Sequence, residues 1–225
     1  EINMKNPDIN FSKRQIKKNY RSITGHFPSI KNNTSIGFES KLEKAHFLSL
    51  EFDNEVISYQ EQPQVEISIN GKDKIYSADC YIKRAKNSNK KDSIVEVKYT
   101  NEIEKRKEYF EKKFESAKTS VNKLNLDFEV YTEKIHSEIY LDNLDFLYRY
   151  KLQPIENKYE DQILKMVSKN HKISAFDLAN LISKNPIKYG LISNCIWDLV
   201  CKEKLKTNLE LSKITMNSLV ELYYE

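Results

Sequence analysis

The sequence predicts a mixed α/β domain followed by a small, mainly helical domain. Three short runs rich in Val, Ile and Tyr lie between amphipathic helical segments, which is the pattern of a sheet covered by helices. Around Pro154 this pattern gives way to three helical segments in close succession. Only 39% of the residues are apolar, but the 14 Tyr and 10 Phe side chains can still build a packed core. We therefore expect a basic arm at 1–34, an α/β domain at 35–153 and a helical domain at 154–225.

Periodicity predicts the elements of the α/β domain. Apolar residues at helical spacing indicate a first helix over 35–51, with Ser35 as a candidate N-cap. Strands are predicted in three runs, at 56–69, 73–84 and 92–100. Asn70-Gly71, between the first two runs, is a predicted hairpin turn. A charged helix with one apolar face, at 101–123, is expected to cover the sheet. A further strand and a further helix complete the domain, at 127–132 and 144–150.

The C-terminal domain is expected to resemble a winged helix. Helices are predicted at 157–169, at 174–184, where Ser174 and Asp177 form a capping box, and at 187–202. A candidate wing hairpin follows at 205–214, and three short helices with a small hairpin are typical of winged-helix units. The Cys and Trp side chains of the last helix are interpreted as core residues rather than chemical groups.

Composition excludes several classes of site. Glycine occurs only 4 times and proline 5 times, so a Gly-rich phosphate loop is not expected. The three cysteines lack CxxC spacing and the four histidines are scattered, which argues against a disulfide scaffold and a zinc site. The sequence contains no run of eighteen apolar residues and begins without a hydrophobic signal core, so membrane insertion and secretion are not expected. We expect a reduced protein in the bacterial cytoplasm.

The net charge of +4 is not spread evenly along the chain. Residues 1–40 carry 7 basic and 3 acidic groups, whereas 41–154 carry 20 and 21, and 155–225 carry 10 and 9. Basic residues interleaved with aromatic ones suit an arm lying along a phosphate backbone. The alternative is a solvated terminus with no ligand. The candidate DNA-binding residues are Lys13, Arg14, Lys17, Lys18, Arg21 and Lys31.

One predicted strand carries an acid and a lysine on the same face. In the run 93–99 the period of two places Glu96 and Lys98 together, opposite Val95 and Val97. Such residues are disfavoured inside strands unless a function compensates for them. Asp79 lies 17 positions before Glu96, so a hairpin can bring the two carboxylates together. A magnesium ion binding both would resolve their repulsion.

Glu43 on the first helix is a candidate third acid, because it shares a polar face with Glu39 and His46. Two alternatives to a metal site remain open on the spacing alone. An Asp followed by Glu-x-Lys arises easily by chance in a chain this rich in lysine. Glu and Lys can also protect an edge strand from aggregation.

Together, Asp79, Glu96-Val97-Lys98 and the upstream Glu43 resemble the PD-(D/E)xK nuclease superfamily. More narrowly, the chain is similar to the TnsA endonuclease subunit of heteromeric cut-and-paste transposases. Ser77-Ala78 before Asp79 replaces the proline of the superfamily name, and Glu96 matches the broader superfamily pattern. The similar segments, in the order of the family, are YRSITGHFPSIKN (20–32), FESKLE (38–43), FLSLEF (47–52), EQP (61–63), VEVKY (95–99) and YTE (131–133).

The resemblance implies a fold, an activity and partners. The expected fold is a restriction-endonuclease-like mixed sheet flanked by helices. The expected activity is Mg²⁺-dependent cleavage of the 5′ strand at transposon ends, with Mn²⁺ able to substitute. Expected partners are a TnsB-like integrase-type subunit, which cuts and joins the other strand, and a TnsC-like ATPase. The implied catalytic residues are Glu43, Asp79, Glu96 and Lys98, with Asp79, Glu96, the Val97 carbonyl and in addition Glu43 as metal ligands.

Two functions other than that of a transposase endonuclease are compatible with the same elements. In the first, the protein binds DNA or a partner and is catalytically silent; the presence of all four polar site residues argues against it. In the second, it is a stand-alone restriction-type nuclease. The modest net charge argues against this, because a protein that grips duplex DNA alone usually neutralises many phosphates.

Overall fold

A computed structural model describes residues 9–12, 23–69 and 71–224. The described residues form seven helices and twelve strands in two compact units, one reaching to Ile135 and one starting at His136. The helix at Glu138–Leu152 belongs to the second unit because it packs on the helix at Pro186–Cys201. The boundary between the two units therefore lies after Ile135, earlier in the chain than the expected boundary after residue 153. Within the described ranges, no helix is long and apolar enough to cross a membrane.

The first unit is built around a mixed four-stranded sheet of order β4-β7-β8-β9. Its first three strands are antiparallel, and β9 runs parallel to β8. Two smaller sheets accompany it, β1-β5-β6 and β2-β3. The elements are β1 (Asn10–Phe11), β2 (Gly25–Ser29), β3 (Thr34–Phe38), α1 (Lys41–Phe52), β4 (Val56–Glu61), β5 (Pro63–Ile69), β6 (Lys72–Ser77), β7 (Cys80–Arg84), β8 (Ser93–Val97), α2 (Thr100–Lys105), α3 (Lys107–Lys123) and β9 (Asp127–Tyr131).

Helix α3 makes the crossover between the parallel strands β8 and β9 and packs on the sheets. Its fully buried Ala117 and Val121 belong to one apolar cluster with Ile94 of β8 and Tyr76 of β6. The predicted covering helix at 101–123 is therefore confirmed, although it breaks into α2 and α3 at Arg106. This packing fixes the face of β8 that also carries Glu96.

The structure changes two details of the predicted elements. The first helix begins at Lys41, with Ser40 as its N-cap, so the assignment of Ser35 as the cap was wrong. Ser35 instead pairs with Pro28 in the β2-β3 hairpin. The first two strand runs each split in two, and Gln62, with a positive φ of 55°, separates β4 from β5. The β5-β6 hairpin is confirmed, with Gly71 at φ 72° in its turn.

The second unit combines four helices with a small antiparallel sheet of order β10-β12-β11. Ser174 caps α6 as predicted, since its side chain accepts a hydrogen bond from the Asp177 backbone N–H. The predicted hairpin at 205–214 is longer, because β11 pairs with β12 further along the chain. The elements are α4 (Glu138–Leu152), α5 (Glu160–Asn170), β10 (Lys172–Ser174), α6 (Ala175–Ile182), α7 (Pro186–Cys201), β11 (Leu205–Lys206) and β12 (Leu219–Leu222).

Asn143 on α4 ties down the loop between β11 and β12. Its side chain is buried, and Nδ2 donates to the carbonyls of Leu209 at 2.9 Å and Ser212 at 2.8 Å. Oδ1 accepts from the backbone N–H of Ile214 at 2.8 Å. One amide thus satisfies three backbone groups of a segment without regular structure.

Replacing Asn143 by Ala is expected to destabilise the second unit by about 2 to 4 kcal/mol, because three backbone groups lose the buried side chain that bonds them. Urea denaturation followed by circular dichroism measures the change. Asn180→Ala is the matched control, since the half-buried Asn180 side chain donates only to the Phe176 carbonyl of its own helix, in a solvent-exposed hydrogen bond. Equal losses of stability in both variants would contradict the role assigned to Asn143.

Candidate active site

Glu96 and Lys98 lie on the same side of the chain at the end of β8. The Lys98 Nζ is 3.7 Å from Glu96 Oε1, which confirms the prediction from the period of two. Glu96 is only 4% exposed, on the face that Ile94 packs against α3. The strand places the carboxylate inside the unit, whereas the Lys98 side chain keeps 27% of its surface exposed.

Asp79 precedes β7 and is hydrogen-bonded to β8 twice. Its backbone N–H donates to the Val95 carbonyl at 3.0 Å, and its Oδ2 accepts from the Val97 N–H at 2.7 Å. These bonds continue the antiparallel pairing in which Cys80 lies opposite Val95. The hairpin predicted from the 17-residue separation therefore forms and brings Asp79 to the strand of Glu96.

The electrostatics show that the two acids share one environment. The pKa of Asp79 rises from 3.8 to about 7, first because its carboxyl is desolvated and second because of the negative charge of Glu96. Glu43 adds to the rise, while the Val97 N–H and the Lys98 ammonium oppose it. A cation between such carboxylates would remove their repulsion.

This pKa shift predicts how stability changes with pH in the absence of metal. A carboxyl with a higher pKa in the folded state binds more protons when folded, so stability is lost as the pH rises from about 4 to about 7. Asn does not ionise. Asp79→Asn is therefore expected to stabilise the first unit at pH 8 by on the order of 2 kcal/mol more than at pH 4.5. Denaturation of both proteins in EDTA at the two pH values measures this. An equal difference in stability between Asp79→Asn and the wild type at both pH values would contradict it.

Glu43 reaches the same region from α1 but also serves its own helix. The Ser40 hydroxyl accepts from the Glu43 backbone N–H at 3.0 Å, and Glu43 Oε2 accepts from the Glu39 N–H at 3.3 Å. This pair of bonds resembles a capping box, except that the Glu43 carboxylate meets the N–H of Glu39, one residue before the N-cap Ser40; it explains why α1 begins where it does. Glu43 is buried, and its charge acts on Asp79, so the structure brings the third predicted acid within electrostatic reach of the site.

Two contacts of Glu96 were not predicted from the sequence. The Tyr76 hydroxyl donates to Glu96 Oε2, and the Lys113 Nζ donates to Oε1 at 3.1 Å. Burial and the Glu96 charge raise the pKa of the Tyr76 phenol, which keeps it a donor. Lys113 lies on the stripe of α3 that carries the buried Phe110 and Ala117, and a lysine on an apolar stripe could have identified it. No comparable pattern marks Tyr76.

The donor set suits a divalent cation that prefers oxygen ligands. Asp79 and Glu96 provide carboxylates whose mutual charge raises the pKa of Asp79, and the Val97 carbonyl follows Glu96. The Asp79–Val97 bond uses Oδ2, so Oδ1 does not take part in it. Among the described residues, no group of three or more His, Cys, Asp and Glu side chains is arranged to hold a metal ion. A site here thus rests on two carboxylates, on one of which, Asp79, the charge of Glu43 also acts.

The candidate DNA-binding residues are described only in part. Lys13, Arg14, Lys17, Lys18 and Arg21 lie outside the described residues. The Lys31 ammonium donates to the carbonyl of Asp53, and to that of Val56 at 2.6 Å. These bonds join the β2-β3 hairpin to the connection between α1 and β4. Lys31 therefore has a structural role in the first unit.

Comparison with known proteins gives one finding for the first unit. Residues 53–133 match the family model described as TnsA-like endonuclease N terminal. The match confirms the resemblance seen in the sequence, and it contains Asp79, Glu96 and Lys98 together with Tyr76 and Lys113. Glu43 precedes the matched residues. No curated protein sequence matches the chain.

Proposed function

Because residues 53–133 match the TnsA-like endonuclease N-terminal domain, we propose that the chain is a metal-dependent DNA endonuclease subunit of a transposase. It cleaves the 5′, non-transferred strand at transposon ends during cut-and-paste transposition. The observation that carries the proposal is geometric: the Val97 N–H bond brings the Asp79 carboxyl to the strand of Glu96, beside the Lys98 ammonium. That arrangement places two negative carboxylates together, which repel each other unless a cation lies between them. It also places beside them a positive group suited to a phosphate.

In this proposal each residue of the site has a separate task. Asp79, Glu96 and the Val97 carbonyl would hold Mg²⁺, or Mn²⁺ in its place. The ion, when bound, supplies polarisation of the scissile phosphate and a lower pKa for a bound water. Lys98, with its partly exposed ammonium, orients the attacking water or stabilises the negative charge that develops on the phosphate. Glu43 would hold either a second metal ion or a water molecule that is bound to the first ion.

The chain is further proposed to act with partners. The second unit has the order α5-β10-α6-α7 followed by the β11-β12 pair, which supports a winged-helix-like domain. Ile187 and Leu191 on α7 are 81% and 55% exposed, and this apolar surface favours a protein partner over DNA. A TnsB-like integrase-type subunit and a TnsC-like ATPase are the proposed partners, in the cytoplasm and at the nucleoid when active. A DNA footprint on α7 would contradict this assignment.

One observation favours a second candidate function, a catalytically silent binding protein. Both Glu96 oxygens already accept hydrogen bonds, one from Tyr76 and one from Lys113. If these bonds persisted with Mg²⁺ present, the carboxylate would be a structural group and the nuclease-like domain a scaffold. Cleavage and metal binding separate the two functions.

The proposal is tested with a duplex that carries the transposon end and is labelled on one strand at a time. The full chain is incubated with the duplex and the partner transposase subunit, in Mg²⁺ or in EDTA. We expect Mg²⁺-dependent cleavage of the 5′ strand, which remains when the partner's own active site is inactivated. Cleavage that is independent of Mg²⁺, or absent with an otherwise competent partner, would overturn the proposal.

The basic arm is proposed to contact phosphates, and salt dependence measures this. Replacing Lys13, Arg14, Lys17 and Lys18 by Gln is expected to flatten the plot of log binding constant against log salt concentration. Each lost phosphate contact lowers the slope by about 0.9, because fewer counterions are released. Replacing four exposed lysines of α3 and the β7-β8 loop is the charge-matched control. An unchanged slope in the arm variant would contradict the role of the arm.

A further inference from the structure

Within the described part of the chain, Glu96 is paired with two ammonium groups, and the nearer one is not that of Lys98. The Lys113 Nζ lies 3.1 Å from Glu96 Oε1, whereas the Lys98 Nζ lies 3.7 Å from the same atom. Both contacts meet one carboxylate oxygen of an acid that is only 4% exposed. Among the residues that the structure describes, the closest positive charge to the proposed metal ligand therefore comes from α3.

The surroundings hold Lys113 in this position. Its side chain is 15% exposed, and Nζ lies 4.4 Å from the centroid of the Tyr76 ring, within the range of a cation–π contact. The Tyr76 hydroxyl donates to the other oxygen of Glu96, so the ring and the ammonium enclose the same carboxylate. One turn further along α3, the fully buried Ala117 anchors the helix against the sheet.

We propose that Lys113 is a positioning residue that occupies the cation position of Glu96 in the metal-free protein and thereby sets the affinity for the divalent ion. This inference rests on the proposed function, because it concerns the same site. A buried carboxylate without a cation is costly, and the ammonium offsets that cost until a metal ion takes its place. The ion must displace this ammonium from Oε1, and the displacement weakens its binding.

The test measures Mn²⁺ affinity in the full chain without DNA, by electron paramagnetic resonance of the free ion. Lys113→Gln is expected to bind Mn²⁺ about tenfold more tightly than the wild type, which corresponds to about 1.4 kcal/mol of removed competition. Lys113→Arg keeps the charge and is expected to keep the weaker affinity. Lys112→Gln is the matched control, because Lys112 is exposed on the same helix and its removal changes the net charge equally. Unchanged or weaker binding by Lys113→Gln would overturn the proposal.

Thermal unfolding distinguishes this role from a merely structural one. In EDTA, Lys113→Gln is expected to unfold at a lower temperature than the wild type, because Glu96 loses its closest cation. In saturating Mn²⁺ the difference is expected to close, because the ion supplies the missing charge. An equal loss of unfolding temperature in both conditions would show that Lys113 only supports the fold, and would overturn the proposal.

Asp79→Asn in the same titration separates this inference from the proposed function. If the wild type binds Mn²⁺, Asp79→Asn loses it and Lys113→Gln matches the wild type, only the inference about Lys113 fails. If neither the wild type nor Lys113→Gln binds Mn²⁺, the proposed metal site fails together with the inference. If Lys113→Gln binds Mn²⁺ and the wild type does not, the result would support both the proposed metal site and the inference about Lys113.

Discussion

Asp79→Asn is expected to lower Mg²⁺-dependent cleavage by about 10³-fold, the upper range for removal of a group that stabilises charge in a transition state. Asn has almost the same shape as Asp, and its side-chain oxygen can keep the bond from the Val97 N–H. What it removes is the negative charge that, with Glu96, favours a cation. The measurement is the single-turnover rate of 5′-strand cleavage on a transposon-end duplex, with the partner subunit present.

The control for this variant is Asp73→Asn, because Asp73 is an exposed acid on β6 of the same unit. It is expected to cleave at the wild-type rate. Asp79→Asn should also remain folded, and at neutral pH without metal it should be more stable than the wild type, since the raised pKa of Asp79 makes its ionised form unfavourable. Retained cleavage by a folded Asp79→Asn protein would remove Asp79 from the site.

Lys98→Met is expected to reduce cleavage by about 10²-fold, because a positive group beside the developing negative charge is lost. Met retains the length and the apolar stem of the lysine. Mn²⁺ affinity is not expected to fall, since Lys98 contributes charge rather than a metal ligand. The combination of slow cleavage and retained metal binding distinguishes Lys98 from Asp79, for which both should be lost.

Lys86→Met is the matched control for this second variant, because Lys86 is exposed in the loop between β7 and β8. Single-turnover cleavage and Mn²⁺ titration are measured on the same preparations. Wild-type cleavage by Lys98→Met would show that Lys98 serves only as a partner of Glu96. In that case Lys113, with its shorter distance to Oε1, would be the more important cation of the site.

The parts of the site that could be predicted from sequence are those set by strand geometry. The period of two placed Glu96 and Lys98 on one side of β8. A hairpin between residues only 17 positions apart in the sequence brought Asp79 to the same strand. The helix cap was misplaced because the β2-β3 pairing, a contact with residues earlier in the chain, took Ser35 into a strand. Local propensity contains no information about such a partner.

The sequence by itself predicted the three strand runs, most of the helices and the motif of the TnsA-like domain, because these depend on residues close together in the chain. Only the tertiary structure decided which groups surround Glu96. Tyr76 lies 20 residues from Glu96 and Lys113 lies 17, on a different strand and on the crossover helix. Their contact depends on the packing of α3 against the sheet, which is driven by the burial of Ala117 and Val121 with Ile94. Helical periodicity marks Lys113 as a lysine on the apolar stripe of α3, but burial is not directional, so the sequence does not specify that this lysine meets the Glu96 carboxylate.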